Sequence, residues 1–194
     1  MLKVLIACEY SGAMREAFRK LGHYAVSCDL LPADDDSPYH YQGPVQDLLS
    51  GSWHLMVAHP PCTHLAVSGA RWFKEKQQEQ AEALDFVRLL LDAPIPYIAL
   101  ENPISIISSR IRKPDQIIQP WMFGHGETKA TCLWLKNLPN LVPTDIVEGR
   151  EQRIWKMGPS PTRWKERSKT YQGIADACAR QWSDYIIGQK QEAA

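Results

Sequence analysis

Long apolar runs, a secretion signal and a framework of paired cysteines are all missing from this sequence of 194 residues. No run reaches the length of about 18 apolar residues that a membrane-spanning helix needs, so we expect no membrane partner. The first residues, MLKVLIACEY, carry neither the basic start nor the cleavage site of a signal peptide and are predicted to form a strand. We therefore expect a cytoplasmic protein with a single domain over residues 1–194.

Disulfide bonds are not expected either. The five cysteines are odd in number and widely spaced, which favours reduced thiols. Cys62 differs from the other four because it directly follows two prolines. The others are interpreted as unreactive thiols: Cys8, Cys28, Cys132 and Cys178.

An excess of charge of one sign is absent as well, since 22 Lys and Arg balance 22 Asp and Glu. This balance argues against a large DNA footprint. Charge is unevenly placed, however: residues 150–169 carry seven basic residues against Glu151 and Glu166. The acidic run 34–36 is interpreted as a solvated loop rather than a metal site.

Short apolar runs alternate with stretches of helical periodicity along the chain. Runs of this length fit strands that are buried on both faces of a parallel sheet. The pattern therefore predicts an α/β fold with a Rossmann-like, doubly wound, mostly parallel sheet. Strands are predicted at 2–8, Tyr24–Cys28, 53–58, Tyr97–Leu100 and Thr131–Leu135, and helices from about Ser11 (capped by Ser11 and ended by Gly22), over 75–92 and over Gly173–Ile187.

Polar residues follow four of these strands: Glu9, Asp29, Cys62 and Glu101. In open α/β sheets, ligands bind beyond the carboxyl ends of the strands. The first strand leads into Cys8-Glu9-Tyr10-Ser11-Gly12, where a glycine allows a ligand to approach the backbone. This turn matches neither GxGxxG nor a P-loop, so phosphate binding is not predicted. In an adenosyl site, Asp29 would accept from ribose hydroxyls and Asp47 would hold the adenine amino group, although each is also a common turn residue.

The segment Pro60-Pro61-Cys62 suits a nucleophile, because two prolines stiffen the backbone that carries the thiol. A free thiol has a pKa near 8.5, so the site would have to lower it or activate the electrophile. Two alternatives remain open: an inert cysteine, or a zinc site of His59, Cys62 and His64 for which no second ligand cluster exists. The lone His125 is interpreted as structural.

Glu101 directly follows the predicted strand Tyr97–Leu100, in the segment ALENP, and the residues of that strand are apolar apart from the tyrosine hydroxyl. Partial burial there is expected to raise its pKa into the range useful for acid–base chemistry.

Seven segments together resemble the DNA cytosine 5-methyltransferase family, in its small phage-like branch. The resemblance extends from Leu2 to about Leu135 and includes the last helix. The matching segments are EYSGAMREAFRKLGH, SCDL, VQDLL, AHPPCTHLA, LENP, TKATCLWL and YQGIADACARQW. The resemblance implies an S-adenosylmethionine-dependent methyltransferase fold in a bacterial or phage-infected cell.

The resemblance also implies an enzyme that methylates the 5-position of cytosine. Cys62 would add to the 6-position, Glu101, held protonated, would donate to ring N3, and Lys129 would assist electrostatically. No metal is implied. Residues implied to bind the cofactor, S-adenosylmethionine, are Cys8, Glu9, Ser11, Gly12, Asp29, Asp47 and Pro60.

The chain departs from the family where a large target-recognition domain would lie. Only a reduced, loop-like segment, residues 137–172, stands in its place. Residues that could contact DNA there are Arg153, Arg163, Lys165 and Arg167, with Trp155 and Trp164 as stacking surfaces. The substrate therefore stays open between DNA and a free cytosine nucleotide, and a non-catalytic module that binds DNA or cofactor is a further alternative.

Overall fold

A seven-stranded sheet forms the centre of the protein in a computed structural model that describes residues 1–161 and 163–192. The strand order is β3-β2-β1-β4-β5-β7-β6, and β7 alone runs antiparallel to its neighbours. This confirms the predicted Rossmann-like, mostly parallel sheet. The strands are β1 Lys3–Ala7, β2 Tyr24–Asp29, β3 His40–Gln42, β4 Leu55–Ala58, β5 Tyr97–Pro103, β6 Gln116–Ile118 and β7 Thr131–Lys136.

Helices cover both faces of the sheet, so each central strand is buried on two sides. They are α1 Ala13–Lys20, α2 Gln77–Leu91, α3 Ile107–Arg110, α4 Arg153–Lys156, α5 Arg163–Ser168 and α6 Gln172–Glu192. Helices α1 and α6 pack on the face that presents Val57 and Ala99. Helix α2 packs on the opposite face, against Met56 and Leu100. The continuous apolar runs in the sequence follow from this two-sided burial.

The start of α1 differs from the sequence prediction. The helix begins at Ala13 after Gly12, and its main capping group is the buried carboxylate of Glu9, whereas Ser11 Oγ accepts only from the N–H of Ala13 at 3.4 Å. Glu9 accepts from the backbone N–H of Met14 at 2.7 Å and of Arg15 at 3.2 Å. Free N–H groups at a helix start favour an anion, which explains the position of this carboxylate.

Several elements were not predicted from the sequence. Strands β3 and β6 have three residues each, too few to show a period. Helices α4 and α5 lie within 137–172, which was expected to be loop-like. Helix α6 is longer than predicted, whereas α2 lies within two residues of its predicted bounds.

Within the described ranges, no helix is both long and apolar enough to cross a membrane.

Candidate active site

The parallel strands β2, β1, β4 and β5 end at one edge of the sheet, and this edge carries the candidate site. Register pairs Ala7 with Cys28 and with Ala58, and Ala58 with Leu100. The residues that follow these positions are therefore neighbours across the edge. Polar groups at successive strand ends are Asp29, Glu9, His59 and Glu101.

Glu101 forms an ion pair with His59. The sequence suggested no role for His59 other than that of a possible zinc ligand. His59 Nδ1 lies 2.8 Å from Glu101 Oε2, and the two side chains are 12% and 18% exposed. Burial alone lowers the pKa of His59, but the hydrogen bond and charge of Glu101 outweigh burial and raise it. Burial alone raises the pKa of Glu101, but His59 outweighs it and lowers that pKa. Both shifts favour the carboxylate of Glu101 with the imidazolium of His59.

This finding corrects one expectation. Partial burial was expected to raise the pKa of Glu101 and to keep it protonated, and the structure indicates the opposite direction. The reason is the imidazole partner, because a nearby cation favours the charged form of a carboxyl. A proton for Glu101 must then come from His59 or from solvent.

Cys62 is the exposed thiol of the chain, whereas Cys28, Cys132 and Cys178 are buried and Cys8 is half-buried; all five are free. Its loop is tied to β5, since buried Asn102 donates its side-chain amide to the carbonyl of Pro60 at 2.9 Å. The pKa of Cys62 is raised, first by partial burial of the sulfur and then by the charge of Glu101. Lys129 and Arg167 act in the opposite direction. The thiol therefore interacts electrostatically with all three charged groups.

Lys129 lies beside the ion pair. Its Nζ donates to the carbonyl of Lys169 at 3.2 Å and lies 5.8 Å from the centre of the Tyr171 ring. It lines a small cavity together with His59 and Glu101. The cavity has a volume of about 20 Å³, enough for one water molecule. It separates the strand ends from α6.

The predicted zinc alternative finds no geometric support in the part of the chain that the structure describes. No three His, Cys, Asp or Glu side chains there converge as metal ligands. His59 uses Nδ1 for Glu101. Nδ1 of His64 is buried with no partner among the described residues.

The turn after β1 shows why glycine stands at position 12. Gly12 has a φ of 75°, and a Cβ there would collide with the guanidinium of Arg15. Cys8 also has a left-handed φ, of 60°, which costs a non-glycine residue on the order of 1 kcal/mol. Ser11 donates to Glu9 at 3.3 Å. The backbone of this turn, at the edge of the sheet, is thus constrained by left-handed φ values at Cys8 and Gly12.

Asp29 and Asp47, the two acids predicted to bind the adenosyl group, each accept one hydrogen bond from the protein. Asp29 Oδ1 accepts from the N–H of Leu31 at 2.9 Å, while its Oδ2 has no partner among the described residues. Asp47 is exposed, and its Oδ2 accepts from the Tyr41 hydroxyl at 2.5 Å. Each acid retains an acceptor oxygen for a ligand. Cys8, Asp29 and Pro60 lie at or just after the ends of the neighbouring strands β1, β2 and β4, and Gly12 lies at the start of α1.

Three of the four residues predicted to contact DNA already bond to other groups of the protein. Arg153 pairs with Glu127 at 3.1 Å, and Lys165 pairs with Asp34 at 3.5 Å. Arg167 donates to the carbonyl of Ile154 at 3.5 Å. Nε of Arg163 is buried and has no partner within the described ranges. Trp155 and Trp164 are 75% and 49% exposed.

Helix α5 packs over the turn that follows β1. The Tyr10 hydroxyl lies 2.8 Å from Oγ of Ser168, and the rings of Tyr10 and Trp164 are 5.8 Å apart. Asp34 also pairs with Lys169 at 3.8 Å. The acidic run is therefore exposed, as expected, and in addition anchors the basic segment beside the candidate cofactor site.

The sheet order with one antiparallel strand next to β5, together with the polar edge, defines the Rossmann-like fold of the S-adenosylmethionine-dependent methyltransferases. Structure comparison agrees with this class. A DNA modification methyltransferase encoded within an E. coli prophage aligns with a TM-score of 0.53 at 12% identity, over 82% of this chain and 56% of that chain. The resemblance to DNA methyltransferases is thereby confirmed at the level of the fold.

Two eukaryotic methyltransferases align similarly. EhMeth of Entamoeba histolytica gives a TM-score of 0.55 at 14% identity, and a mutant of Spodoptera frugiperda DNMT2 gives 0.50 at 14%. Both alignments cover 77% of this chain and 57% of the other. The chain thus spans just over half the length of its structural neighbours. Neither a protein-family model nor a curated protein sequence matches it.

Proposed function

We propose that the protein transfers a methyl group from S-adenosylmethionine to the 5-position of cytosine in DNA, through a transient bond between Cys62 and ring carbon 6. One observation carries this proposal. An exposed thiol follows β4, a half-buried carboxyl lies near the end of the adjacent strand β5, and the bond from Asn102 to Pro60 ties the two segments together. Acid and nucleophile are the two groups that cytosine needs, because its carbon 5 is a poor nucleophile until sulfur adds at carbon 6.

Cys62 acts as the nucleophile in its ionised form. The raised pKa keeps most of the thiol protonated at neutral pH, and the cations Lys129 and Arg167 limit that rise. Reaction then depends on the small thiolate fraction, which reacts fast because thiolate is intrinsically nucleophilic.

Glu101 acts as the acid that faces the ring. When sulfur adds to carbon 6, negative charge develops at N3, and a proton from Glu101 neutralises it. Lys129, which lines the same cavity as Glu101, stabilises negative charge electrostatically. Because the site is partly buried, these interactions are stronger than they would be in water.

The cofactor supplies an electrophilic methyl group on a sulfonium. In the proposal, Oδ2 of Asp29 accepts from a ribose hydroxyl and Asp47 accepts from the adenine amino group. Gly12, Cys8 and Pro60 provide backbone that a ligand can approach. Glu9 contributes indirectly, because both of its oxygens already cap α1.

Exposed Trp155 and Trp164 and the cations of 150–169 support DNA as the substrate. Aromatic rings stack on unpaired bases, and Arg and Lys contact phosphates. An enzyme that acts on a base in a duplex must turn it out of the stack, which costs a few kcal/mol. Single-stranded DNA avoids that cost, so it is the first substrate to test.

A free cytosine nucleotide is the second candidate. The net charge of zero favours it, as does the pairing of Arg153 and Lys165 with acids of the same chain. Both features reduce the attraction to a polyanion.

The experiment uses labelled S-adenosylmethionine with three substrates: single-stranded DNA, duplex DNA and dCMP. Label at the 5-position of cytosine in DNA supports the proposal, and label only in dCMP supports the second candidate. Cofactor binding without any transfer would indicate a non-catalytic module and overturn both.

The nucleophile is tested with DNA that contains 5-fluorocytosine, which traps a covalent adduct for mass spectrometry. The adduct is expected at Cys62 and absent in Cys62→Ser. Cys28→Ser is the matched control, because the Cys28 thiol donates to the Gly43 carbonyl at 3.3 Å and a hydroxyl can do the same. An adduct in Cys62→Ser would overturn the covalent mechanism.

A further inference from the structure

The register of the sheet brings His59 and Glu101 to the same face. Ala58 pairs with Leu100 in the parallel ladder, so the next residues of both strands point to one side. That side also carries Val57 and Ala99 and lies beneath α1 and α6. Glu101 lies within β5, and His59 directly follows β4, where its backbone N–H donates to the carbonyl of Ala7 at 2.9 Å, so the backbone positions both members of the ion pair.

One ring nitrogen of His59 forms a hydrogen bond, and the other has no partner among the described residues. Nδ1 bonds to Glu101, whereas Nε2 is buried with no partner among the described residues. Charged groups that act on the imidazole are Glu101, Glu9 and Lys129. The titratable groups that line the cavity beside it from the α6 side are Tyr171 and Cys178. Imidazolium in this position is stabilised by one carboxylate at contact distance, and no other carboxylate of the described residues lines the cavity.

We propose that His59 is the positioning residue of Glu101 and stores the proton that Glu101 gives to the cytosine. This inference rests on the proposed function. The pair carries one proton: it resides on Nδ1 of His59 in the free protein and moves to Oε2 of Glu101 when the base binds. His59 itself does not touch the substrate.

The proton returns in each turnover. A sulfur lone pair of Cys62 forms the bond to carbon 6, the C5=C6 pair becomes C4=C5, and the C4=N3 pair takes the proton from Glu101. Glu101 is then a carboxylate and His59 a neutral imidazole. The C4=C5 pair then forms the bond to the methyl group as the bond between that group and its donor breaks, and the N3 lone pair re-forms C4=N3. The proton of carbon 5 leaves to solvent, its C–H pair forms C5=C6, and the sulfur of Cys62 departs with the C6–S pair. N3 returns its proton through Glu101 to His59, so one proton is released overall.

His59→Asn tests this role, because an amide nitrogen at the position of Nδ1 can still donate to Glu101 but carries no removable proton. The readout is the single-turnover rate of methyl transfer to cytosine-containing DNA from about pH 5 to about pH 10, a range that includes the ordinary pKa values of imidazole and thiol. We expect a loss of about 10²-fold while the wild-type His59 holds its proton, the usual contribution of a general acid, and a smaller loss at alkaline pH, where the wild-type His59 is neutral as well. The loss shrinks towards acid pH, where Glu101 takes up a proton of its own.

His54→Asn is the matched control. His54 precedes β4, at the opposite end of the strand from His59, and its Nδ1 accepts from the N–H of Lys3 at 2.8 Å. Its substitution is expected to leave the rate profile unchanged. A loss in His59→Asn that is equal at every pH indicates a merely structural role and overturns the inference, as does a wild-type rate in that variant.

A second measurement needs no substitution at position 59. The imidazole signals of His59 in nuclear magnetic resonance are expected to titrate above pH 6.5 in the wild type and below it in Glu101→Gln, since burial, the largest effect on the pKa of the ring, is then opposed only by the weaker effect of Glu9. A wild-type midpoint below 6.5 overturns the inference even if His59→Asn does not fold. A wild-type protein that methylates no cytosine overturns the proposed function and this inference together, whereas an active protein with the wrong His59 behaviour overturns this inference alone.

Discussion

Asn102 donates its side-chain amide to the carbonyl of Pro60 across 2.9 Å, and this bond joins the segment that carries Cys62 to the one that carries Glu101. Asn102 is only 1% exposed, so water cannot replace the bond. The relative position of nucleophile and acid therefore depends on a residue that neither attacks nor protonates.

Replacing Asn102 by Ala should slow methyl transfer, because the loop of Cys62 loses its attachment to β5. A misplacement of about 1 Å can cost on the order of 10²-fold in rate, and the unpaired carbonyl should cost about 1–3 kcal/mol of stability. Single-turnover rate and urea unfolding measure the two effects. Asn137→Gly removes an equivalent bond, from Asn137 to the carbonyl of Pro96 at 2.8 Å, at the other end of β5. A similar loss of rate in that control would contradict the prediction.

Cys62 should be alkylated by iodoacetamide before the buried thiols, with a pH midpoint above about 8.5, the ordinary value for a thiol. Glu101→Gln should lower the midpoint, because it removes a negative charge that raises the pKa of Cys62. Lys129→Met should raise it, because it removes a cation that acts in the opposite direction. Mass spectrometry of the modified peptides follows the reaction. Shifts of the opposite sign would show that these charges do not act on the sulfur.

The stability that the His59–Glu101 pair contributes should depend on pH in a defined window. The pKa of His59 is raised, so its contribution is complete below about 6.5, the unfolded value, and is lost as the pH rises through the higher folded value. The pKa of Glu101 is lowered, so its contribution is complete above about 4.3 and is lost as the pH falls through the lower folded value. The difference in unfolding free energy between wild type and Glu101→Gln should therefore be greatest between about pH 4.3 and 6.5. A difference that stays constant from acid to alkaline pH would refute the ion pair.

Glu9→Gln should destabilise the protein by about 2 kcal/mol, since charge-assisted bonds to two backbone N–H groups of α1 are weakened. Thermal unfolding should shift down by several degrees, at roughly 2–4 °C per kcal/mol for a chain of this size. Glu79→Gln, in the first turn of α2, is the control, because Glu79 is exposed. Equal shifts in the two variants would show that Glu9 is not a special cap.

Asp34→Asn should tighten binding to single-stranded DNA, because it releases Lys165 and Lys169 for phosphate contacts. Each added contact should steepen the salt dependence of log K by about 0.7. Asp36→Asn is the control: it removes the same charge from a neighbouring acid with a left-handed φ of 50°, which Asn tolerates. If both variants change binding equally, net charge rather than the released lysines is responsible.

The strand pattern placed polar residues at strand ends, as the structure does, but burial predicted a raised pKa for Glu101 where His59 lowers it, and the sequence suggested no role for His59 beside Glu101. The signal for His59 existed in principle: His59 and Glu101 each follow a run of strand residues by one position. Only the pairing of Ala58 with Leu100 turns that coincidence into a contact. Likewise, Asp34 and Lys165 are far apart in sequence, and nothing local predicts their ion pair.

What the sequence determines by itself is local: apolar runs buried on two sides form parallel strands, helical periodicity forms the covering helices, and chemistry-bearing residues come at strand ends. Only the tertiary structure decides the rest. Register sets which side chains meet, the packing of α6 and α5 encloses the edge, and β7 turns antiparallel beside β5. The physical reason is that the pKa values and contacts of Glu101, His59 and Cys62 depend on neighbours that are distant along the chain. Arg167, for example, acts on Cys62 from 105 positions away. No local sequence pattern predicts such a pair.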